Sequence, residues 1–283
     1  ANEAIQLAGD KALTTRTARE IGVYTPHTEF PQELDEFPAA MRRLGTRIVV
    51  KIPRSTAAAG VFITDDHERA MRFVLAHADP ENWPIVQAFE DGDRCGVAAV
   101  CRNGEIVAAH GFRVHTKHAL SGTAPYAEEL DDPVVFEQAA AMARKLSWHG
   151  PLDFDWIATP DGRYALLELN PRFSGTISFG RAVGFDLPGA LLDIADDRPV
   201  RAMPPRVAGR RYRSGLEFEL LYLARDPAHR LGGGAGVVGA DRGLAGGVGL
   251  VDHVAVGVLD ADDGVGVDVH ALGRERVVGL GHL

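Results

Sequence analysis

The sequence predicts an α+β fold, on three observations. Apolar, β-branched runs come in pairs split by turn residues, which reads as antiparallel hairpins. Helical segments stand apart from those pairs instead of alternating with single strands, as a doubly wound parallel sheet would require. The chain has 283 residues, 46% hydrophobic and 24% charged, enough for a good-sized core in one large or two small domains.

The elements follow in order. Residues 10–21 read as a short helix, with Asp10 as N-cap and Gly22 just past its end. Residues 47–52 are β-branched and apolar and read as a strand. Residues 66–78 form a second helix and residues 84–89 another strand. Residues 94–102 and 105–114 flank Asn103-Gly104, the strongest short hairpin signal. Residues 133–146 form a helix with proline at its opening. Residues 152–158 and 164–169 make a second hairpin, and residues 178–195 contain a further helix. From about Leu231 the character changes: nearly half of the 32 glycines fall there, among Val, Ala and Asp. That region reads as weakly specified structure without chemistry, a strand over 251–259 being its best-marked element.

Charge narrows the function. The formal net charge is −9, the wrong sign for a nucleic-acid binder. Any site for an anionic ligand must be made locally positive by a few placed cations. No run of about 18 apolar residues suggests a membrane span, and residues 1–13 do not read as a signal peptide. Cys95 and Cys101 share one extended segment, too far apart to bond each other. A reducing, cytoplasmic location is expected.

The most informative stretch is 152–172. Asp161-Gly162 suits a two-residue turn flanked by Pro160 and Arg163. That register sets Asp155 opposite Glu168 and Asp153 opposite Asn170, on one face, with Cβ atoms roughly 4.5–5.5 Å apart. The other face carries Leu152, Phe154, Trp156, Ala165, Leu167 and Leu169, all apolar, so hydrophobicity supports the register that the turn sets. Carboxylates gathered at this range repel unless a cation sits between them, and hard oxygen donors suit Mg²⁺ or Mn²⁺. A solvated acidic face is the other reading of the hairpin alone.

Glu168-Leu169-Asn170-Pro171-Arg172 resembles the E-x-N-P-R signature of the ATP-grasp superfamily, which includes biotin carboxylase, carbamoyl-phosphate synthetase and many carboxylate–amine ligases. Other pieces resemble the family in the same order. They are Gly9-Asp10-Lys11 with Ile21-Gly22-Val23, Val49-Val50-Lys51 with the loop from Pro53 to Val61, the strand and turn from Val86 to Asp93, the strand from Gly150 to Asp155, and the helix from Phe185. The resemblance covers residues 1 to about 195. It implies two subdomains with antiparallel sheets clamping ATP, over residues 1–200, and leaves 201–283 as a C-terminal region of unknown role. The family normally has a further domain before the Lys11 helix, so the chain is expected to be part of a larger protein.

The resemblance also implies roles. Lys11 and Lys51 would reach the ATP phosphates. Gln87, Ala88, Phe89 and Glu90 would present backbone groups to adenine, and Asp93 would accept from the ribose. Asp155, Glu168 and Asn170 would be the Mg²⁺ ligands, Asp153 would stand behind them, and Arg172 would stabilise the transferred phosphoryl group. Arg113, His115, Lys117 and His118 form a basic patch ending in Ser121-Gly122-Thr123, a region that in relatives often closes over the γ-phosphate or the acceptor; a solvated loop is the other reading. The implied activity is ADP-forming ligation of a small-molecule carboxylate to an amine or thiol. Bicarbonate as the carboxylate, or a nucleotide-binding module without catalysis, are the alternatives.

Overall fold

Helix α1 (Asn2–Ala8) has no clear signal in the sequence; helix α2 (Lys11–Glu20) has one, and the structure follows it. The Asp10 carboxylate accepts from the N–H groups of Ala12 and Leu13, two donors that a helix start leaves without partners. Beyond α2, Gly22 takes a φ of +78°, which suits a residue without a side chain. The structure is a computed structural model and describes residues 2–55, 60–115, 126–213 and 237–239, all within a unit spanning residues 1–242. The strand expected over 251–259 lies outside the described residues.

Strands β1 (Thr28–Glu29), β2 (Ile48–Lys51), β3 (Val61–Thr64) and β4 (Ile85–Ala88) form one antiparallel sheet in the order β1-β4-β2-β3. Helices α3 (Phe37–Leu44) and α4 (His67–Ala76) pack on it. Ile48 and Val50 join Phe37, Met41, Ala70, Val74 and Val86 in that core. Strand alternation therefore turns Val49 and Lys51 to the opposite face.

A larger sheet holds β5 (Asp93–Arg102), β6 (Glu105–Val114), β7 (Tyr126–Leu130), β8 (Gly150–Ala158), β9 (Tyr164–Asn170), β10 (Arg211–Arg213) and β11 (Val237–Gly239). Its order is β11-β10-β7-β6-β5-β8-β9, antiparallel except for the β10–β11 pair. At the β5–β6 turn Asn103 and Gly104 both have positive φ, 51° and 91°, as the mirror-image turn of a tight hairpin demands. One face packs on helix α5 (Pro133–Lys145), which presents Val135, Ala139, Met142 and Ala143 to Val97, Phe154 and Trp156, a helical stripe meeting a strand face. The other face is covered by α6 (Ile177–Ala182) and α7 (Leu187–Ala195), through Phe179, Phe185 and Leu187. Burial of such aromatic and aliphatic side chains contributes about 1.5–3 kcal/mol each. The expected helix within 178–195 is thus two short helices, broken at Gly184, whose φ is +97°.

The β8–β9 hairpin departs from expectation in two places that cancel. Thr159 and Arg163 close the turn, the Thr159 N–H donating to Arg163 O and the Gly162 N–H to Thr159 O, so three residues lie between them and not two. A bulge between Asp155 and Trp156 then puts Trp156 opposite Leu166, while Asp155 faces Glu168 and Asp153 faces Asn170. The bulge leaves Leu167 out of the ladder. Leu166 therefore takes the core place that alternation gives Leu167, and Ala165 pairs with Ile157 on the other face.

Candidate active site

The pairing Asp153–Asn170 and Asp155–Glu168 sets four polar side chains on one face of β8 and β9. Leu152, Phe154 and Trp156 fill the helix-packed core on the reverse face, so the carboxylates cannot turn away from one another without exposing that core. Asn170 Nδ2 donates to Asp155 Oδ2 at 2.9 Å. Burial, and then the facing charge of Glu168, raise the Asp155 pKa above the ordinary carboxylate range, with Arg94 opposing. Asp153 is buried too, and burial followed by the charge of Asp155 raises its pKa against the pull of Arg172.

Lys51 arrives from the other sheet. Its side chain is buried, and its Nζ lies 3.4 Å from the Leu167 carbonyl, which the bulge has left outside the ladder. Burial pushes its pKa down to about 8, the charges of Glu168 and Asp155 opposing and that of Lys11 adding to the fall. Lys11, at the start of α2, places its Nζ 3.5 Å from Glu168 Oε2 and donates to Ser55 O at 3.0 Å. Arg172 completes the group. It lies 3.4 Å from Asp153 Oδ2 and donates to Asn170 Oδ1 at 3.3 Å and to Phe173 O at 2.9 Å.

Two opposed carboxylates and one amide oxygen, with two ammonium groups and a guanidinium at the rim, suit a divalent cation held against a polyphosphate. No three His, Cys, Asp or Glu side chains form a metal-holding group among the described residues. The oxygen donors expected of this face are the Asp155 and Glu168 carboxylates and the Asn170 amide. Lys11 on Glu168 and the amide N–H of Asn170 on Asp155 stand where that cation's charge would act.

A family model described as "ATP-grasp in the biosynthetic pathway with Ter operon" matches residues 84–216. The carbamoyl phosphate synthase large chain of Archaeoglobus fulgidus is 23% identical over 197 residues, 65% of this chain and 18% of that protein. Among solved structures, phosphoribosylamine–glycine ligase from Thermotoga maritima matches with a TM-score of 0.59 at 15% identity, over 72% of this chain and 58% of that one. The biotin carboxylase domain of the Hydrogenobacter thermophilus 2-oxoglutarate carboxylase, solved with MgADP, ADP and bicarbonate, matches at 0.61 and 14% identity, over 71% and 48%. The chain thus matches an ATP-grasp family model over just under half of its length and shares the fold of these solved ATP-grasp proteins. It spans about half the length of these solved relatives and less than a fifth of the synthase chain.

The remaining expected residues fall less simply. The Ala88 N–H donates to His27 O and the Phe89 N–H to Arg47 O, because β4 is a ladder strand up to that point. Both of these amides are therefore taken within the chain itself. The Gln87 side chain is buried on Thr28, and the Glu90 carboxylate accepts from Tyr24 Oη at 3.0 Å. Asp93 shares the helix-packed side of β5 with Cys95, away from Asp155, and accepts from Arg113 Nη1 at 3.3 Å. His115 meets Glu128 at 3.1 Å; Lys117, His118 and residues 121–123 lie outside the described residues, as do residues 57–59 of the loop after Lys51.

Two residues escaped the sequence reasoning. Arg94 is the β5 cation on the carboxylate face, one residue from the acid singled out instead. Ser55 anchors Lys11, and a side chain at Gly60 would run into it. Both cysteines are buried and free on β5, and burial pushes their thiols up to about 12. Among the described residues no helix is long and apolar enough to cross a membrane.

Proposed function

We propose that this chain uses ATP to activate a carboxylate as an acyl phosphate, which an amine or thiol then attacks, releasing phosphate. The observation that carries the reading is the convergence of Lys51 from one sheet with Asp155, Glu168 and Asn170 from the other.

Lys51 and Lys11 would bind the triphosphate; a Lys–phosphate contact at about 4 Å is worth on the order of 4 kcal/mol at an effective dielectric near 20. Lys51, made less basic by burial, would regain its full charge beside phosphate. Lys11 would leave Glu168 for a phosphate oxygen. Asp155, Glu168 and Asn170 would hold Mg²⁺ or Mn²⁺, which supplies charge neutralisation on the phosphates. Arg172, with its planar fork, would orient the transferred phosphoryl group and the acyl phosphate. No covalent nucleophile on the protein is needed, since positioning and charge supply the catalysis. Adenine would meet the chain near Glu90, past the ladder strand.

Bicarbonate as the carboxylate is a second reading, favoured by the match to a carbamoyl phosphate synthase large chain. Incubation with ATP, Mg²⁺, hydroxylamine and a panel of amino acids separates the readings. ADP and hydroxamate that depend on one amino acid are expected. ADP release driven by bicarbonate alone favours the second reading. ATP binding with no ADP against the whole panel or bicarbonate would overturn both and leave a nucleotide-binding module.

A further inference from the structure

Arg172 follows β9 by two residues, and its guanidinium meets three acceptors. Its Nη1 donates to Asp153 Oδ2 at 3.4 Å and to Phe173 O at 2.9 Å, and its Nη2 donates to Asn170 Oδ1 at 3.3 Å. The two ends of the ion pair differ in setting: the Arg172 side chain is 58% exposed, that of Asp153 only 5%. Asp153 lies on β8 between Leu152 and Phe154, which belong to the helix-packed core. Across the sheet it pairs with Ala98 of β5 and Asn170 of β9. Its Oδ1 has no hydrogen-bond partner among the described residues.

A carboxylate so placed is costly, because burial disfavours its charge and an unpartnered oxygen has given up its water. A small apolar residue would suit the place beside Ala98 better. The three acceptors around Arg172 suggest what offsets the cost, because they differ in what holds them. Phe173 O belongs to the next residue and moves with Arg172. Asn170 Oδ1 is the amide oxygen that the proposed divalent cation would take, and an oxygen facing that cation is a poor partner for a guanidinium of the same sign. Asp153 Oδ2 is then the acceptor that stays fixed to the sheet. A long side chain free at its tip samples many rotamers, and a charge-assisted bond to a fixed carboxylate selects one.

We propose that Asp153 is a positioning residue for Arg172. It holds Nη1, whose two hydrogens are engaged by Asp153 Oδ2 and Phe173 O. The Nε–Nη2 edge is left to take two oxygens of the transferred phosphoryl group, the fork geometry in which arginine binds phosphate best. Asp153 touches neither substrate nor cation in this role; it acts through Arg172. The proposal rests on the ligase reading, and it names what keeps that reading's guanidinium aimed once the cation has claimed Asn170.

The test uses the full chain with saturating Mg²⁺-ADP, into which inorganic phosphate is titrated and followed by ³¹P nuclear magnetic resonance. Saturable binding is expected in the parent chain, weakened at least tenfold in Arg172→Gln and in Asp153→Ala. Asp153→Asn keeps an acceptor oxygen in the same place and is expected to stay within about threefold of the parent. Loss of a negative charge alone acts in the opposite sense and would tighten phosphate in both Asp153 variants. Binding in Asp153→Ala as tight as in the parent, or tighter, therefore overturns the positioning role, and so does an equal loss in Asp153→Ala and Asp153→Asn. Phosphate affinity absent from the parent, or unchanged in Arg172→Gln, overturns it too, because Arg172 then meets no phosphoryl group. A measurement on the parent chain alone stands if a variant does not fold: with Mg²⁺-ADP bound, Arg172 is expected to show two resolved ¹⁵Nη signals, and one averaged signal overturns the anchor. Failure of the ligase reading shows separately, as absence of hydroxamate from the parent chain, and the phosphate titration then decides by itself whether Asp153 holds Arg172.

Discussion

At residue scale, Lys51 has its chemistry set by its address. Alternation from the core residues Ile48 and Val50 puts it on the inner face of β2, where it is 6% exposed, and burial disfavours the charged ammonium. Its pKa of about 8 lies below the ordinary lysine value of 10.5. Between these values the unfolded chain binds the extra proton, so stability rises with pH across that window. Below pH 8 the full cost of the buried charge is present, on the order of 3 kcal/mol. Lys51→Met is therefore expected to be more stable than the parent chain at pH 7 by up to about that amount, measured by urea unfolding without nucleotide. The advantage should shrink as the pH rises from 8 to 10.5, and the variant should lose nucleotide binding. Such a lysine is legible in the sequence as a cation behind an apolar run, but its burial is not, because the Leu167 carbonyl that receives it comes from another strand. His110 is hidden for the same reason: nothing local to position 110 distinguishes a solvated histidine from an unpartnered one under Phe179.

At element scale, the site depends on how closely β5, β6 and β8 approach. Gly96 faces Asp155 on one side and Phe112 on the other. A methyl group there would enter the Phe112 ring and lie 2.9 Å from the Phe154 carbonyl. Gly96→Ala is expected to cost about 1–3 kcal/mol by overpacking, read from urea unfolding, and to weaken nucleotide binding by displacing Asp155. Unchanged stability would mean that the strands shift apart freely. Elements whose signals are local were legible: the Asp10 cap, the proline opening α5, and the Asn103-Gly104 turn. The β8–β9 hairpin shows where local signals stop. Asp161-Gly162 marks the turn, but Thr159 and not Pro160 opens it, and the bulge at Leu167 restores the pairing of Asp155 with Glu168. The expected pairs were reached through two departures of one residue each, and an apolar leucine at 167 gives no warning of a bulge. The helix expected within 178–195 is present as Leu187–Ala195, and a second, Ile177–Ala182, precedes it on the other side of Gly184.

At the scale of the whole molecule, Lys51 carries the small sheet to the Leu167 carbonyl of the large one, while Lys11 and Tyr24, on the segment that packs beside β9, reach Ser55 and Glu90. The order of short motifs along the chain was enough to suggest the fold that the solved ATP-grasp proteins share. What the order could not reveal is which side chains share a face; Asp93 and Arg94 differ by one position and point to opposite sides of β5. The central claim is that Asp155, Glu168 and Asn170 hold a divalent ion against a triphosphate gripped by Lys51. Its most direct test is a Mn²⁺ titration in the presence of ATP, followed by electron paramagnetic resonance, on the parent chain and on Glu168→Gln. The account predicts saturable Mn²⁺ binding that requires ATP and weakens at least tenfold in the variant; equal Mn²⁺ affinity in both chains would contradict it.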